Sequence, residues 1–265
     1  MNELPTCETL LLEHACGVLH ITLNRPDCRN AMSLTMVGEL RAVLASVRQQ
    51  PGIRALVLRG ASGHFCAGGD IKDMATARNA GQAAYRELNR AFGSLLEEAQ
   101  HTPQVLVAVL EGAVLGGGLG LACVSDVAIA RQDAQFGLPE TTLGILPAQI
   151  APFVAKRIGL TQARRLALTA ARFDGAEAAR LGLVHFSEAD EQALERRLAD
   201  TLAQIQRCAP QANAQTKALL LASEEQPLGP LLDSAADQFG AAVTGAEGAE
   251  GTLAFVQKRK PDWAK

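Results

Sequence analysis

The residues best suited to chemistry lie in two glycine-rich clusters, each between a predicted strand and a predicted helix. The first cluster spans 63–72 (GHFCAGGDIK) and follows an apolar strand at 53–58, and the second spans 111–120 (EGAVLGGGLG) and follows one at 105–110. Glycine lets a backbone N–H approach a ligand closely, and a helix N-terminus adds partial positive charge. Two such loops side by side could direct two N–H groups at one oxygen, as in an oxyanion hole. Tight turns that pack helices on a sheet would give the same pattern.

The absence of other known motifs argues against several classes of enzyme. Residues 116–120 lack the G-x-G-x-x-G spacing of a dinucleotide site, and no G-x-x-x-x-G-K-[ST] or G-x-S-x-G string occurs. The five histidines have no metal-binding spacing, so we predict no metal site. Cys66 lies in the first cluster, and we favour a packing role for its thiol over a nucleophilic one.

Composition narrows the function further. A chain of 265 residues with 48% hydrophobic residues can bury a large core, and a net charge of −3 leaves no basic footprint for nucleic acid. The segment Met1–Pro5 has no basic patch before an apolar run, so we expect no secretory signal. No uncharged stretch near the middle approaches the ~20 residues of a membrane span. The six cysteines form no C-x-x-C pair, and we expect free thiols and a cytoplasmic location.

The elements that must position the clusters alternate between strand and helix in the first half of the chain. Strands separated by helices predict a largely parallel α/β arrangement. After about residue 150 the pattern becomes mainly helical, with one strand at 183–186. The predicted strands are 10–12, 18–23, 53–58, 105–110 and 127–130, with a turn at Cys16-Gly17 between the first two. The predicted helices are 33–50, 71–103, 119–124, 161–170, 175–182, 190–207, 211–223 and 245–258.

Five segments in register resemble the enoyl-CoA hydratase/isomerase (crotonase) superfamily over nearly the whole chain. They are Asn24-Arg25-Pro26 with Asn30-Ala31, the string FCAGGDIK at 65–72, Gly116-Gly117-Gly118, the strings FGLPE at 136–140 and LGILP at 143–147, and the terminal FVQKRK at 255–260. The resemblance implies an α/β fold with a crotonase-like β-spiral core of ββα turns. Residues 1–200 would form this core with the CoA-ester active site, and residues 201–265 a helical trimerisation region. A homotrimer or hexamer is therefore expected.

The resemblance also implies roles for individual residues. The N–H groups of Gly69 and Gly117 would bind the thioester oxygen of an acyl-CoA, and Glu140 would act as the acid and base. Family hydratases carry a second glutamate at the position of Gly120, so this chain has lost one of the two acids.

The remaining site residues follow from the same register. For the CoA moiety the resemblance points to Ala67, Gly68, Ile71 and Lys72 near the adenine and pantetheine, Arg25 near the phosphates, and Lys258 reaching in from a neighbouring subunit. Met74, Gly120 and Gln149 would line the acyl pocket, beside an alanine-rich segment after Lys72. Coenzyme A belongs to the substrate, and neither a metal nor a separate cofactor is implied.

The predicted reaction is the reversible addition of water to an α,β-unsaturated acyl-CoA. Gly120, together with Pro147-Ala148-Gln149 where many members have a glycine-rich stretch, resembles the branch that hydrates 3-methylglutaconyl-CoA and isohexenylglutaconyl-CoA in leucine or acyclic terpene catabolism. Such substrates are branched at C3 and carry a second carboxylate, for which the missing acid would free volume and remove repulsion. Two alternatives stay open: a Δ3,Δ2-enoyl-CoA isomerase, and a non-catalytic scaffold or RNA-binding homologue.

Overall fold

Two sheets run through the computed structural model, which describes residues 4–264; residues 1–3, part of the segment considered for a secretory signal, and residue 265 lie outside it. In chain order the strands are β1 (Leu10–Ala15), β2 (Val18–Leu23), β3 (Ala55–Gly60), β4 (Val105–Leu110), β5 (Ala113–Leu115), β6 (Val127–Arg131), β7 (Gln135–Gly137) and β8 (Phe186–Glu188). The larger sheet has the order β1-β2-β3-β4-β6-β8, and β5 pairs with β7 in the smaller one.

The larger sheet is mixed. β1 and β2 pair antiparallel around the predicted turn, where Cys16 and Gly17 have φ angles of 50° and 74°. The other neighbours in this sheet pair parallel. The predicted α/β class is confirmed.

Ten α-helices occur within residues 4–264. They are α1 (Leu34–Val47), α2 (Ile71–Ala80), α3 (Gln82–Gln100), α4 (Gly117–Val124), α5 (Ala151–Thr169), α6 (Gly175–Arg180), α7 (Glu191–Arg207), α8 (Pro210–Ala222), α9 (Leu228–Thr244) and α10 (Ala246–Val256). The single helix predicted at 71–103 is wrong: Gly81, with φ 95°, separates α2 from α3. α9 was not predicted, and the strand predicted at 183–186 lies instead at β8.

The strands repeat as a spiral in which one from the larger sheet is followed by one from the smaller layer. β4 leads to β5 and then α4, and β6 leads to β7. Parallel bridges between Cys66 and Val114 and between Met32 and Gly69 extend the smaller layer. Because β3 and β4 are parallel neighbours, the chains that leave their carboxyl ends start at the same edge of the sheet. This topology places the two glycine clusters side by side.

Both faces of the larger sheet are covered. One face packs into a core with α1, α3 and α4, and the other carries a smaller cluster in which Leu194, Leu198 and Ile205 of α7 pack against the sheet. Residue 200, at the predicted domain boundary, lies inside α7. Beyond α7, the C-terminal helices leave large apolar side chains exposed, among them Phe239 and Phe255. No helix within residues 4–264 has the length and hydrophobicity needed to cross a membrane.

Candidate active site

The two glycine clusters form neighbouring loops, which we call the first loop (residues 61–70) and the second loop (residues 111–117). Backbone hydrogen bonds join them: the Cys66 N–H donates to the Ala113 oxygen over 2.8 Å, and the Leu115 N–H donates to the Cys66 oxygen over 2.9 Å. A Cβ atom at position 112 of the second loop would stand 2.2 Å from the Gly63 oxygen of the first loop. Close approach of the two backbones at this point therefore depends on glycine.

The predicted oxyanion donors, Gly69 and Gly117, lie near the ends of these two loops. Gly69 and Gly117 donate no backbone hydrogen bond within residues 4–264, whereas the Gly116 N–H donates to the Gly137 oxygen and the Asp70 N–H to the Met32 oxygen. Gly116 has φ 48° and ψ −114°, a conformation that side chains disfavour. It lets the chain turn sharply into α4, whose first residue is Gly117. Two unused N–H groups thus lie on adjoining loops at a helix start.

Glu140 supplies the carboxylate beside these loops. It begins a short 3₁₀ turn, Glu140–Leu143, directly after β7 and Pro139. A Cβ atom at position 116 would stand 2.8 Å from its Oε1. Its Oε2 is buried and has no hydrogen-bond partner within residues 4–264. Burial raises the pKa of the Glu140 carboxyl, opposed by the backbone N–H of Glu140 and the positive charge of Arg172. A buried carboxyl with a free oxygen and a raised pKa is suited to proton transfer near neutral pH.

The position of the missing second acid is filled by apolar side chains. A Cβ atom at Gly120 would stand 3.1 Å from Cγ2 of Ile150 and 3.2 Å from Cδ1 of Leu96. All residues of α4 are buried. The prediction that Gly120 frees volume for the substrate is therefore wrong. Ile150 and Leu96 occupy the space in which a side chain at this position would begin.

The predicted acyl-pocket residues lie on the walls of the same region. The Met74 Sδ is 3.5 Å from a Cβ position at Gly69. Gln149 donates from Nε2 to the Asn89 Oδ1 over 3.0 Å, and its amide fills the space that a side chain at Gly93 would take. Gln149 is thus a polar group of fixed orientation next to Ile150.

Sequence reasoning missed several residues of this wall on α3. Phe92 lies against Gly117, its Cζ 3.1 Å from a Cβ position there, and Leu96 lies one turn further along the helix. Their i, i+4 spacing on a predicted helix was a usable signal. Asn89 and Arg172 could not be found from local sequence, because the residues they interact with, Gln149 and Glu140, are distant from them along the chain.

The predicted CoA-binding residues gather at the start of α2, with two exceptions. Ile71 is 81% exposed and Lys72 is exposed beside it, directly after the first loop. Both terminal nitrogens of Arg25 are engaged within the protein, by Asp70 and by the Ala31 oxygen. Lys258 is exposed after α10, and its contact from a neighbouring subunit stays a prediction.

Cys66 has a packing role. Its side chain is fully buried, and burial raises the pKa of the thiol to about 11. A fully buried thiol with a raised pKa is poorly suited to nucleophilic attack, which supports the packing role. All six cysteines are free thiols.

Backbone donors beside one buried acid suit chemistry at a carbonyl whose oxygen becomes negative. Comparison with known proteins agrees with this geometry. The model of the enoyl-CoA hydratase/isomerase family matches residues 13–265, and the chain belongs to this family. It is therefore an enzyme of a family that acts on acyl-CoA thioesters.

Relatives and solved structures cover nearly the whole chain. It is 34% identical to a probable enoyl-CoA hydratase (echA8) of Mycobacterium tuberculosis, over 97% of this chain and 98% of that protein. It is 31% identical to the peroxisomal Δ(3,5)-Δ(2,4)-dienoyl-CoA isomerase of Arabidopsis thaliana, over 100% and 99%. The structure of Pseudomonas aeruginosa AtuE superimposes with a TM-score of 0.97 at 79% identity, covering 97% of this chain and 100% of that one. These likenesses confirm the crotonase-like fold, and the relatives include both hydratases and an isomerase.

Proposed function

We propose that the protein is an enoyl-CoA hydratase that uses Glu140 as its single acid and base. The observation that carries the proposal is the Oε2 of Glu140, which is buried and has no hydrogen-bond partner among the described residues. The Oε1 of the same carboxyl lies close to Gly116 of the second loop. A carboxyl held in this way can accept a proton from water and return it within one reaction cycle.

Glu140 and the N–H groups of Gly69 and Gly117 are sufficient for the proposed addition of water. Glu140 takes a proton from water as the water oxygen bonds to C3, and the electron pair of the C2–C3 double bond moves towards the thioester oxygen. The N–H groups of Gly69 and Gly117 bind the resulting enolate oxygen; loss of one such donor in other enzymes costs about 3 kcal/mol. Protonated Glu140 then returns its proton to C2. Coenzyme A is part of the substrate, and no separate cofactor or metal takes part.

The substrate we propose is a 3-branched glutaconyl-CoA, either 3-methylglutaconyl-CoA or isohexenylglutaconyl-CoA, as in leucine or acyclic terpene catabolism. Support comes from the apolar wall at Gly120, which brings no second negative charge towards the acyl carboxylate. The amide of Gln149 adds a neutral polar group on that wall. Branched acyl carbons would pack against Phe92, which is half-buried beside Gly117.

A Δ3,Δ2-enoyl-CoA isomerase is the second candidate, because moving a proton between C2 and C4 needs only one carboxylate. Gly120 and the isomerase among the relatives favour it. A non-catalytic scaffold or RNA-binding role is less well supported, since the chain keeps Glu140 and has a net charge of −3.

A substrate panel separates these candidates. Purified protein is incubated with crotonyl-CoA, 3-methylglutaconyl-CoA, isohexenylglutaconyl-CoA and a 3-enoyl-CoA, and the ultraviolet absorbance of the conjugated thioester is followed. Hydration lowers the absorbance of the conjugated substrates, with the largest kcat/KM for a branched glutaconyl-CoA. An increase with the 3-enoyl-CoA and no decrease with the others would establish isomerisation instead.

The role of Glu140 has its own test. Glu140→Gln keeps the shape of the side chain but cannot take a proton, so we expect kcat to fall by about 10²- to 10⁴-fold while the binding of the CoA ester persists. Glu191→Gln, at the exposed start of α7, is the matched control. A Glu140→Gln rate near that of the wild type would remove this residue from the mechanism.

We further propose a homotrimer or hexamer in the cytoplasm. The apolar side chains exposed on the C-terminal helices support assembly, including Phe239 at 71%, Phe255 at 86% and Val256 at 77%. Six free thiols are in keeping with a reducing compartment. Analytical ultracentrifugation gives the number of subunits directly, and a monomer at micromolar concentration would contradict the proposed assembly.

A further inference from the structure

The segment around Asn30 lies against the first loop and holds it by side-chain contacts. Asn30 is fully buried; its Oδ1 accepts from the Arg25 N–H over 2.8 Å, and its Nδ2 donates to the oxygens of Ala61 and His64 over 3.0 and 2.6 Å. Arg29 and Asn30 both have left-handed φ angles, 50° and 56°. Asparagine adopts this conformation readily, but it is costly for arginine and persists where the surroundings fix it.

Arg25 connects this segment to the end of the first loop. Its Nη2 lies 2.7 Å from Oδ2 of Asp70, and its Nη1 donates to the Ala31 oxygen over 2.5 Å. The Asp70 side chain is only 7% exposed, and its Oδ1 accepts from the N–H groups of Lys72 and Asp73, which caps α2. Burial opposes ionisation of Asp70, but the hydrogen bonds from Arg25, Asp73 and Lys72 outweigh it and lower the pKa of the carboxyl.

Gly69 lies between the points that these contacts fix. The Met32 N–H donates to the Gly68 oxygen over 2.8 Å, and the Asp70 N–H donates to the Met32 oxygen over 2.9 Å. Gly69 is exposed and has no side chain to hold it. The direction of its N–H is therefore set by its two neighbours and by whatever holds them.

We propose that Arg25, Asn30 and Asp70 form a clamp of positioning residues that aims the Gly69 N–H at the thioester oxygen. Arg25 acts through Asp70 at one end of the loop, and Asn30 acts through the His64 oxygen at the other. The inference rests on the proposed role of Gly69 as an oxyanion donor, and it is independent of the identity of the acyl chain.

The clamp and a phosphate-binding role for Arg25 give different kinetics. An arginine that binds a CoA phosphate contributes equally to the substrate complex and the transition state, so its loss raises KM and leaves kcat unchanged. A residue that aims an oxyanion donor contributes mainly in the transition state, so its loss lowers kcat. Two terminal nitrogens already engaged by Asp70 and Ala31 favour the second outcome.

The test compares Arg25→Met and Asp70→Asn with the wild type in two assays. The first is steady-state turnover of 3-methylglutaconyl-CoA. The second is exchange of the α-protons of butanoyl-CoA in D₂O, which reports enolate formation without hydration. We expect kcat and the exchange rate to fall roughly 10- to 100-fold together, with KM changed less than about threefold; Arg25→Lys should recover part of both.

Lys217→Met is the matched control. Lys217 and Asp126 form an ion pair of 2.7 Å with similarly buried side chains at the amino ends of β4 and β6, on the opposite edge of the sheet. This variant should lose stability but keep kcat and exchange. The loss of kcat and of the exchange rate in the clamp variants must exceed any loss of these two rates in the control.

Two results would overturn the clamp: unchanged kcat and exchange in both variants, or a raised KM with unchanged kcat. If Arg25→Met does not fold, Arg25→Lys and Asp70→Asn decide the question, because each keeps a polar side chain of similar size. Absence of both hydration and exchange in the wild type would instead refute the proposed function itself.

Discussion

The two loops of the candidate site lie side by side but are held in place by different interactions. The first loop is exposed at Gly69 and is held by polar side chains, among them Asn30 and the ion pair of Arg25 with Asp70. The second loop is held by backbone hydrogen bonds, such as Gly116 to Gly137, and leads into the fully buried α4. Side chains distant in sequence therefore reinforce the backbone hydrogen bonds that hold the first loop to Met32, whereas backbone conformation and packing alone hold the end of the second loop.

This difference predicts which substitutions are tolerated. In the second loop, glycines allow conformations and contacts that any side chain would disrupt. In the first loop, Gly68 with φ 106° is sensitive for the same reason, but side chains distant from Gly69 in sequence are sensitive as well. The following variants test this contrast.

Gly116→Ala should have the largest effect, because it introduces strain into the second loop and displaces the acid. A residue at φ 48° and ψ −114° bears strain of about 1–3 kcal/mol, and its Cβ would stand 2.8 Å from Oε1 of Glu140. A displaced catalytic group can cost roughly 100-fold in rate, and we expect a decline in kcat of this size. Gly229→Ala is the control, because a Cβ there in α9 would have no contact within 4 Å among the described residues. Equal rates for the two variants would refute the special role of the second loop.

Gly120→Glu introduces a glutamate at the position where family hydratases carry their second acid, and it tests the packing around α4. The new side chain would press on Ile150 and Leu96, and overpacking of this kind costs about 1–3 kcal/mol. We expect a lower free energy of unfolding in urea and a preference shifted towards short, uncharged enoyl-CoAs. Ile150→Ala in the same chain should recover part of the stability. An unchanged ranking across the substrate panel would count against the glutaconyl proposal.

Arg172→Met should have the smallest effect, because it should change only the pH dependence of kcat/KM. The positive charge of Arg172 lowers the pKa of Glu140, which burial holds above its ordinary value. Without that charge the pKa rises further, so the ionised base is lost at a higher pH. We expect the acid limb of the kcat/KM profile to move to higher pH.

Arg180→Met, on an exposed residue paired with Glu177, is the control for this shift. A movement of the acid limb to lower pH in Arg172→Met, or an equal movement in both variants, would contradict the assignment of the limb to Glu140.

Much of the fold was predictable because its signals are local. The strands β2 and β4 lie at the predicted residues, since short apolar runs between turn signals mark buried strands. β5 and β7 were missed because three residues are too few to show alternation. The break between α2 and α3 was missed because Gly81 interrupts a pattern that otherwise continues as one helix.

Residue types and their spacing were enough to predict which groups this protein has: two glycine-rich loops, one acid at Glu140, and Gly120 where a second acid is common. The surroundings of these groups become visible only in the folded chain. Folding buries Oε2 of Glu140 without a hydrogen-bond partner in the part of the chain that the structure describes, fills the space at Gly120 with Ile150 and Leu96, and pairs Arg25 with Asp70. The physical reason is that residue type and spacing report local geometry. Burial, pairing and free volume depend on side chains up to dozens of residues apart, which meet only when the chain is folded.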